Sequence, residues 1–206
     1  MIRNIVFDLG GVVAEYDPRD FLKKHHIEGA LQDSVFQATF GSPAWAEMDL
    51  GNLSRSEGNR RMLENAAKTG CAAGAQLVVD EWKSIFQTKT TTTEIMSRLK
   101  AAGYSLYFLS NIPEDTLAML KERPFFSLFE DGVPSYAVHI NKPDPRIFDA
   151  LLQRCHLRAA ESVFVDDTPA NVRTANQLGF TGIHYEDPTS FLLALAQNGV
   201  VPASAG

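Results

Sequence analysis

The chain contains only two cysteines, Cys71 and Cys155, far apart and in no metal or redox spacing. That excludes a disulfide-stapled fold, and both thiols are expected to be reduced packing residues in a cytoplasmic protein. No apolar run approaches the roughly 18 residues that a membrane span requires. The N-terminus opens on strand-like sequence, not on a basic segment followed by an apolar one, so no signal peptide is expected. Positive charge is also scarce: 19 Lys and Arg against 25 Asp and Glu leave a net charge of −6. The electrostatic footprint of a nucleic-acid binder is therefore missing. An acidic protein that handles an anion must neutralise it locally, with a metal, a lysine or helix N-termini. Internal repeats and low-complexity tracts are lacking too.

What is present is an ordinary globular composition, 45% hydrophobic over 206 residues, enough for one domain or a domain with a modest insertion. Short apolar runs that end in turn or polar residues predict buried parallel strands at Asn4–Phe7, Ser105–Leu109, Glu161–Val165 and Gly182–Tyr185, with a weaker one near Leu128–Val133. Helical patterns fall between them at Glu114–Lys121, Pro145–Arg154, Ala170–Leu178 and Ser190–Gln197. This alternation predicts an α/β fold with a doubly wound parallel, Rossmann-like sheet. A long gap separates the first two strands, far more than a crossover needs. Residues 15–88 read as several helices, with breaks at Gly41-Ser42-Pro43, Asp49–Ser54 and Gly70–Gly74, and with Ser54 and Glu57 spaced as a helix start. The economical organisation is a discontinuous core, 1–14 plus 89–206, with a small helical insertion at 15–88. TKTTTT (88–93) is the expected hinge back into the core, and the terminal VPASAG is expected to be loose.

Ligands of open α/β sheets sit beyond the carboxyl ends of the strands. Asp8 follows the first strand, Ser110 and Asn111 the second, and Asp166 and Asp167 the fourth; Lys142 lies in the loop NKPDP. Singly, each has a plainer reading as a turn, helix cap or surface residue. Jointly, they fall where one site would be. Three carboxylates at one edge call for a cation, and hard oxygen ligands suit Mg²⁺. Lys142 adds a second positive charge, and Ser110 with nearby backbone N–H groups can hold phosphate oxygens. Gly10 and Gly11 let the backbone approach a substrate and turn sharply, and a carbonyl there can face the metal.

In this order the segments FDLGGVV, FLSN, KPDPRIF and FVDDTPANV resemble the four motifs of the haloacid dehalogenase-like hydrolase superfamily, from residue 5 to about 180. FDLGGVV is also similar to the subgroup that includes bacterial α-D-glucose-1-phosphate phosphatases. The resemblance implies that Asp8 is a nucleophile forming an aspartyl-phosphate. It implies that Asp8, the Gly10 carbonyl and Asp167 hold Mg²⁺ with Asp166 beside them. Ser110 and Asn111 would bind the transferring phosphoryl group, and Lys142 would pair with it and with Asp8. The helical insertion would be a small cap that closes over the site. The implied activity is phosphatase action on a small-molecule phosphate ester such as a sugar 1-phosphate, by a monomer or homodimer in the cytoplasm.

One departure from the family pattern is Gly10, where the usual motif carries a second aspartate that protonates the leaving oxygen. Three accounts compete. A sugar 1-phosphate has a good leaving group and needs little acid. Alternatively an acid comes from elsewhere, such as Glu15, Asp17, His25, His26, Glu47 or Asp49. Or the protein is a weak or silent member that binds a phospholigand or serves regulation. Dehalogenation needs no metal and would gain nothing from Asp166-Asp167. Phosphonate cleavage would need a lysine such as Lys23 or Lys24, which read as a polar helix face, and a mutase would need the missing acid. In the insertion, Trp45 can stack on a sugar or pack the cap, Met48 and the Asp49–Arg55 turn lie mid-cap, and Arg55, Arg60 and Arg61 could reach a second phosphate but read rather as a solvated face.

Overall fold

Strands flanked by helices on both faces bury both sets of alternating side chains, so their sequences are continuously apolar. The computed structural model, which describes residues 1–204, follows this rule. Its strands are β1 (Asn4–Phe7), β2 (Ser105–Ser110), β3 (Asp131–Pro134), β4 (Ser162–Asp166) and β5 (Thr181–His184). They form one parallel sheet in the order β3-β2-β1-β4-β5. Ile5, Phe7, Leu106, Phe108, Val163 and Val165 face one apolar layer, while Val6, Tyr107, Leu109 and Phe164 face the other. The α/β reading holds, with β1 where it was expected and the other strand ends within three residues of those expected.

Five helices precede the second strand's own helix: α1 (Pro18–Lys24), α2 (Gly29–Ala38), α3 (Pro43–Asp49), α4 (Arg55–Lys68) and α5 (Ala72–Glu81), followed by a short 3-10 turn at Trp82–Ile85. Ser54 caps α4 by accepting from the Glu57 N–H at 3.3 Å. Glu57 does not complete a capping box; its carboxylate holds Arg60 and Arg61. An aromatic series knits these helices together. Phe21 meets Phe40 edge-on, Phe40 tilts on Trp45 with centroids 4.8 Å apart, and Tyr16 stacks on Phe86 at 5.3 Å. The chain leaves and re-enters the sheet region at one place. Ala14 bridges Thr88, Glu15 donates to the Gln87 carbonyl at 2.7 Å, and Lys89 donates to Val13 at 2.9 Å.

The other helices are α6 (Thr90–Ala101), α7 (Glu114–Lys121), α8 (Ser135–Val138), α9 (Pro145–Arg154), α10 (Pro169–Gln177) and α11 (Pro188–Gln197). Two expectations need correction. Only Thr88 and Lys89 of TKTTTT form the crossing; Thr90–Thr93 are the first turn of α6. A run of β-branched threonines is a poor helix former. It is overridden because Thr92, Ile95, Met96 and Leu99 make a buried stripe, with Thr92 bonded to the Tyr185 hydroxyl at 2.6 Å. The second is the tail, whose residues up to Ala203 are tied down. Ala203 donates to the Arg98 carbonyl at 3.1 Å and accepts from Arg98 Nε at 2.6 Å, and Val201 donates to the Tyr104 hydroxyl. Ala205 and Gly206 lie outside the described residues. Cys71 is buried and Cys155 half-buried, both as free thiols. Among the described residues no helix is long and apolar enough to cross a membrane.

The layer under β4 depends on Phe148, fully buried and edge-on to Phe164 at 5.1 Å and to Phe180 at 6.0 Å. Phe148→Ala should cost about 3–5 kcal/mol, seen as a lower urea midpoint with an unchanged slope.

Candidate active site

Parallel register brings the strand ends level. Phe7 lies opposite Phe108 on β2 and Val165 on β4. The next residue of the central strand, Asp8, therefore stands beside Asp166, with Ser110 one step further along β2. The order reverses here, since the chain proceeds to β2 on one side of β1 and returns to β4 on the other. Such a switch point opens a crevice at the carboxyl edge.

Asp8 is held by both oxygens. Oδ1 accepts from the Leu9 N–H and from the Ser110 hydroxyl, each at 2.7 Å, and Oδ2 lies 3.0 Å from Lys142 Nζ. Lys142 reaches on to Asp166 Oδ2 at 2.6 Å, with 1% of its side chain exposed. Burial pushes the Asp8 carboxyl up to about 7; Lys142 pulls it down and Asp166 pushes it up again. Desolvation opposes the Lys142 charge, yet the pull of Asp8 and Asp166 leaves its pKa above the ordinary lysine value.

Asp166 is fully buried and has its oxygens taken up within the protein. Oδ1 accepts from the Thr168 N–H at 2.8 Å and Asn171 Nδ2 at 2.9 Å, and Oδ2 accepts from Asn171 as well as Lys142. Asp167 remains open to the cavity, its carboxyl raised by desolvation and by the neighbouring charge of Asp166. Gly11 is what makes room for it. At φ +77° a Cβ on residue 11 would sit 2.0 Å from Asp167 Oδ2. The loop is fixed from the other side by Lys89 Nζ, which donates to the Gly11 carbonyl at 2.6 Å. Gly10 differs: its added Cβ would make ordinary contact with Tyr16 at 3.4 Å. Oxygens of Asp8, Asp166 and Asp167 all lie within 4.8 Å of one another.

The structure thus brings Asp8, Gly10, Ser110, Asn111, Lys142, Asp166 and Asp167 together, and Asn111 has a task beside the expected one. Its side chain grips the peptide of Lys142, accepting from Lys142 N–H at 2.7 Å and donating to Lys142 O at 3.0 Å. The side chain thus positions the lysine, while Asn111 itself still lines the cavity. Asn171 went unread in the sequence although it lies within FVDDTPANV; its signal is the distance of one helical turn from the acidic pair, where an amide reaches back to the strand end. A cavity of about 200 Å³ opens over the cluster, its far walls made by Tyr16, Trp45, Asp49 and Phe86. Of the alternative acids, Asp49 lines it. Glu15 and His26 are exposed elsewhere, Asp17 caps α1, His25 packs on Phe21, and Glu47 accepts from Asn52. Trp45 is buried against Phe40 and also lines the cavity. Arg55 is not solvated: it holds Asp115.

The two glycines should respond differently to one methyl group. Gly11→Ala combines left-handed strain with a collision with Asp167 and should lose at least about 1–2 kcal/mol. Gly10→Ala should stay within about 0.5 kcal/mol of the parent. Urea denaturation of the pair checks this, and equal stability of the two variants would contradict it.

A sesquiterpene phosphatase of Aspergillus oryzae is 23% identical to this chain, covering 93% of it and 94% of the relative. D-ribitol-5-phosphate phosphatase of Bacteroides thetaiotaomicron is 28% identical, covering 87% and 90%. Among solved structures, a HAD family enzyme from Bacteroides thetaiotaomicron, in complex with magnesium and inorganic phosphate, superposes with a TM-score of 0.70 at 22% identity, over 90% of this chain and 95% of that one. The sequence profile of haloacid dehalogenase-like hydrolases matches residues 2–179, and the chain belongs to that family.

Proposed function

We propose that the protein is a Mg²⁺-dependent phosphatase that hydrolyses a small phosphorylated metabolite through Asp8. The observation that carries this reading is the buried ammonium of Lys142 set between Asp8 and Asp166, with Asp167 open beside them. The donor set fits the ion, because Mg²⁺ takes oxygen ligands and uses one or two carboxylates with water and substrate phosphate. Asp8, Asp167 and the Gly10 carbonyl would hold it, with Asp166 alongside, its oxygens already engaged by Asn171, Thr168 and Lys142. Bound there, the ion would neutralise phosphate charge and align the attack.

Asp8 is poised for nucleophilic catalysis. The Leu9 N–H and Ser110 hydroxyl fix one oxygen and leave the other on the cavity side with Lys142. Attack on phosphorus gives an aspartyl-phosphate, which divides a difficult hydrolysis into two easier steps. Lys142 and Ser110 would hold the phosphoryl oxygens, and Asn111 holds Lys142 in place. Residues 15–88 would serve as a helical cap on a core of 1–14 plus 89–206, supplying the aromatic wall of Tyr16, Trp45 and Phe86. That wall and a volume of about 200 Å³ suit a phosphate with a small sugar or polyol. The relative that acts on ribitol 5-phosphate supports this size class. A sugar 1-phosphate agrees with Gly10, since its anomeric oxygen leaves with less help than an alkoxide.

Phosphate release should be measured with Mg²⁺ on paired sugar 1- and 6-phosphates and on ribitol 5-phosphate. Turnover should vanish in chelator and fall by about four orders of magnitude or more in Asp8→Asn. A preference for 1-phosphates would support the leaving-group account, and equal activity would point to an acid supplied by another residue. No release from any ester, with phosphate-ligand binding retained, would replace the phosphatase reading with a binding role.

A further inference from the structure

Resting on the phosphatase reading, the site still needs a proton donor for any ester of an ordinary alcohol, because Gly10 has no side chain to transfer one. The titratable groups lining the cavity are Asp8, Tyr16, Asp49, Lys142 and Asp167. Asp8, Lys142 and Asp167 have their tasks. Tyr16 is driven further from its ionised form by burial and by the charge of Asp49. We propose that Asp49, the last residue of α3, is the general acid and base of this enzyme, supplied by the helical segment in place of residue 10.

Its backbone is anchored to the sheet side of the site. The Ser135 hydroxyl donates to the Asp49 carbonyl, and His139 Nδ1 lies 2.8 Å from the Leu50 carbonyl. Gly51, at φ +72°, presses so close to Tyr136 that a Cβ would sit 2.6 Å from its carbonyl oxygen. Arg55 completes the clamp, with Nε and one terminal nitrogen on Asp115 at 2.8 and 3.1 Å and that nitrogen also on Thr116 at 3.1 Å. Its guanidinium lies over Trp82 at 4.1 Å and Trp45 at 5.1 Å. The carboxyl thus stands on a segment tied at four places to α7 and α8 and the residue after it, the stretch of chain that follows Ser110 and precedes Lys142.

The charged and titratable groups around Asp49 are Asp8 beyond β1, Tyr16, Arg55 on α4, and His139 behind Leu50. Burial pushes the Asp49 carboxyl up to about 7, Arg55 lowering it and Asp8 raising it. A group with that balance can both give and take a proton near neutrality. In the first step an Asp8 oxygen bonds to phosphorus, the bond from phosphorus to the ester oxygen breaks, and the Asp49 proton passes to that oxygen, releasing the alcohol. In the second, water bonds to phosphorus, its proton returns to Asp49, and the bond to Asp8 breaks, releasing inorganic phosphate. Both carboxyls end as they began.

The test compares wild type, Asp49→Asn and Arg55→Gln on ribitol 5-phosphate and p-nitrophenyl phosphate with Mg²⁺, with Asp8→Asn as control. Asp49→Asn should lower kcat/KM on ribitol 5-phosphate about 10²–10⁴-fold. On p-nitrophenyl phosphate, whose leaving group needs no proton, it should give a burst of one nitrophenolate per site and then slow turnover. In wild type, kcat/KM for ribitol 5-phosphate should fall as pH rises through about 7, because the acid must be protonated. That limb should disappear in Asp49→Asn and move to higher pH in Arg55→Gln, which removes the charge that lowers the Asp49 pKa. The proposal is overturned if Asp49→Asn keeps kcat/KM within twofold on the alkyl ester, or loses both esters equally without a burst. Should Asp49→Asn fail to fold, an unmoved limb in Arg55→Gln overturns it. Inactivity of wild type on every ester, or full activity of Asp8→Asn, would instead sink the phosphatase reading beneath it.

Discussion

An ammonium with almost no solvent contact, shared between two carboxylates, is the interaction on which the site is built. Taking such charges out of water costs several kcal/mol per ion unless geometry and further hydrogen bonds compensate. Here they do. Lys142 contacts Asp166 at 2.6 Å and Asp8 at 3.0 Å, with the Phe164 ring 5.5 Å from Nζ. Asn111 fixes the lysine by its peptide, Asn171 fixes Asp166 by both oxygens, and Ser110 fixes Asp8. Remove Lys142 or either carboxylate and a charge is left buried without its full set of partners. The parallel sheet supplies the frame, because three strand ends in register deliver Asp8, Ser110 and Asp166 to one spot.

The bareness of the loop after β1 has two causes, one at each glycine. At Gly11 it is steric: the backbone turns through a left-handed conformation and the absent Cβ leaves space for Asp167. At Gly10 sterics are permissive, so the missing side chain is a matter of chemistry. A loop that supplies a carbonyl but no proton leaves the proton to the opposite wall of the cavity. That wall is built by the helical segment, so substrate fit and proton transfer become properties of the same surface.

Much of this was legible in the sequence because it rests on local signals. Apolar runs ending in Asp8, Ser110 and Asp166 announce buried strands with polar tips, and a parallel sheet gathers such tips. What escaped depends on tertiary contact. The threonines opening α6 argue against a helix until Thr92 finds Tyr185 and the stripe from Ile95 to Leu99 finds the core. Asn111 reads as a ligand beside Ser110, and only the fold reveals that the Lys142 peptide lies within its reach. Asn171 is signalled only by its spacing from the acidic pair, and that spacing becomes contact only once α10 turns it back towards β4. Arg55 looks like a surface residue until Asp115, distant in sequence, is placed opposite. The tail reads as loose because nothing in VPASAG foretells the two bonds to Arg98.

The crossing where Ala14 meets Thr88, reinforced by Lys89 on Val13 and on the Gly11 carbonyl, has an evolutionary consequence. Seen from the sheet, the whole run of helices from α1 to the 3-10 turn is a single loop with its ends pinned together. The entropy of closing a loop grows only with the logarithm of its length. Helices within that loop can be lengthened, lost or exchanged at small cost to the sheet, provided the pin stays. The residues at the strand tips can in this way stay unchanged while the helices over them vary.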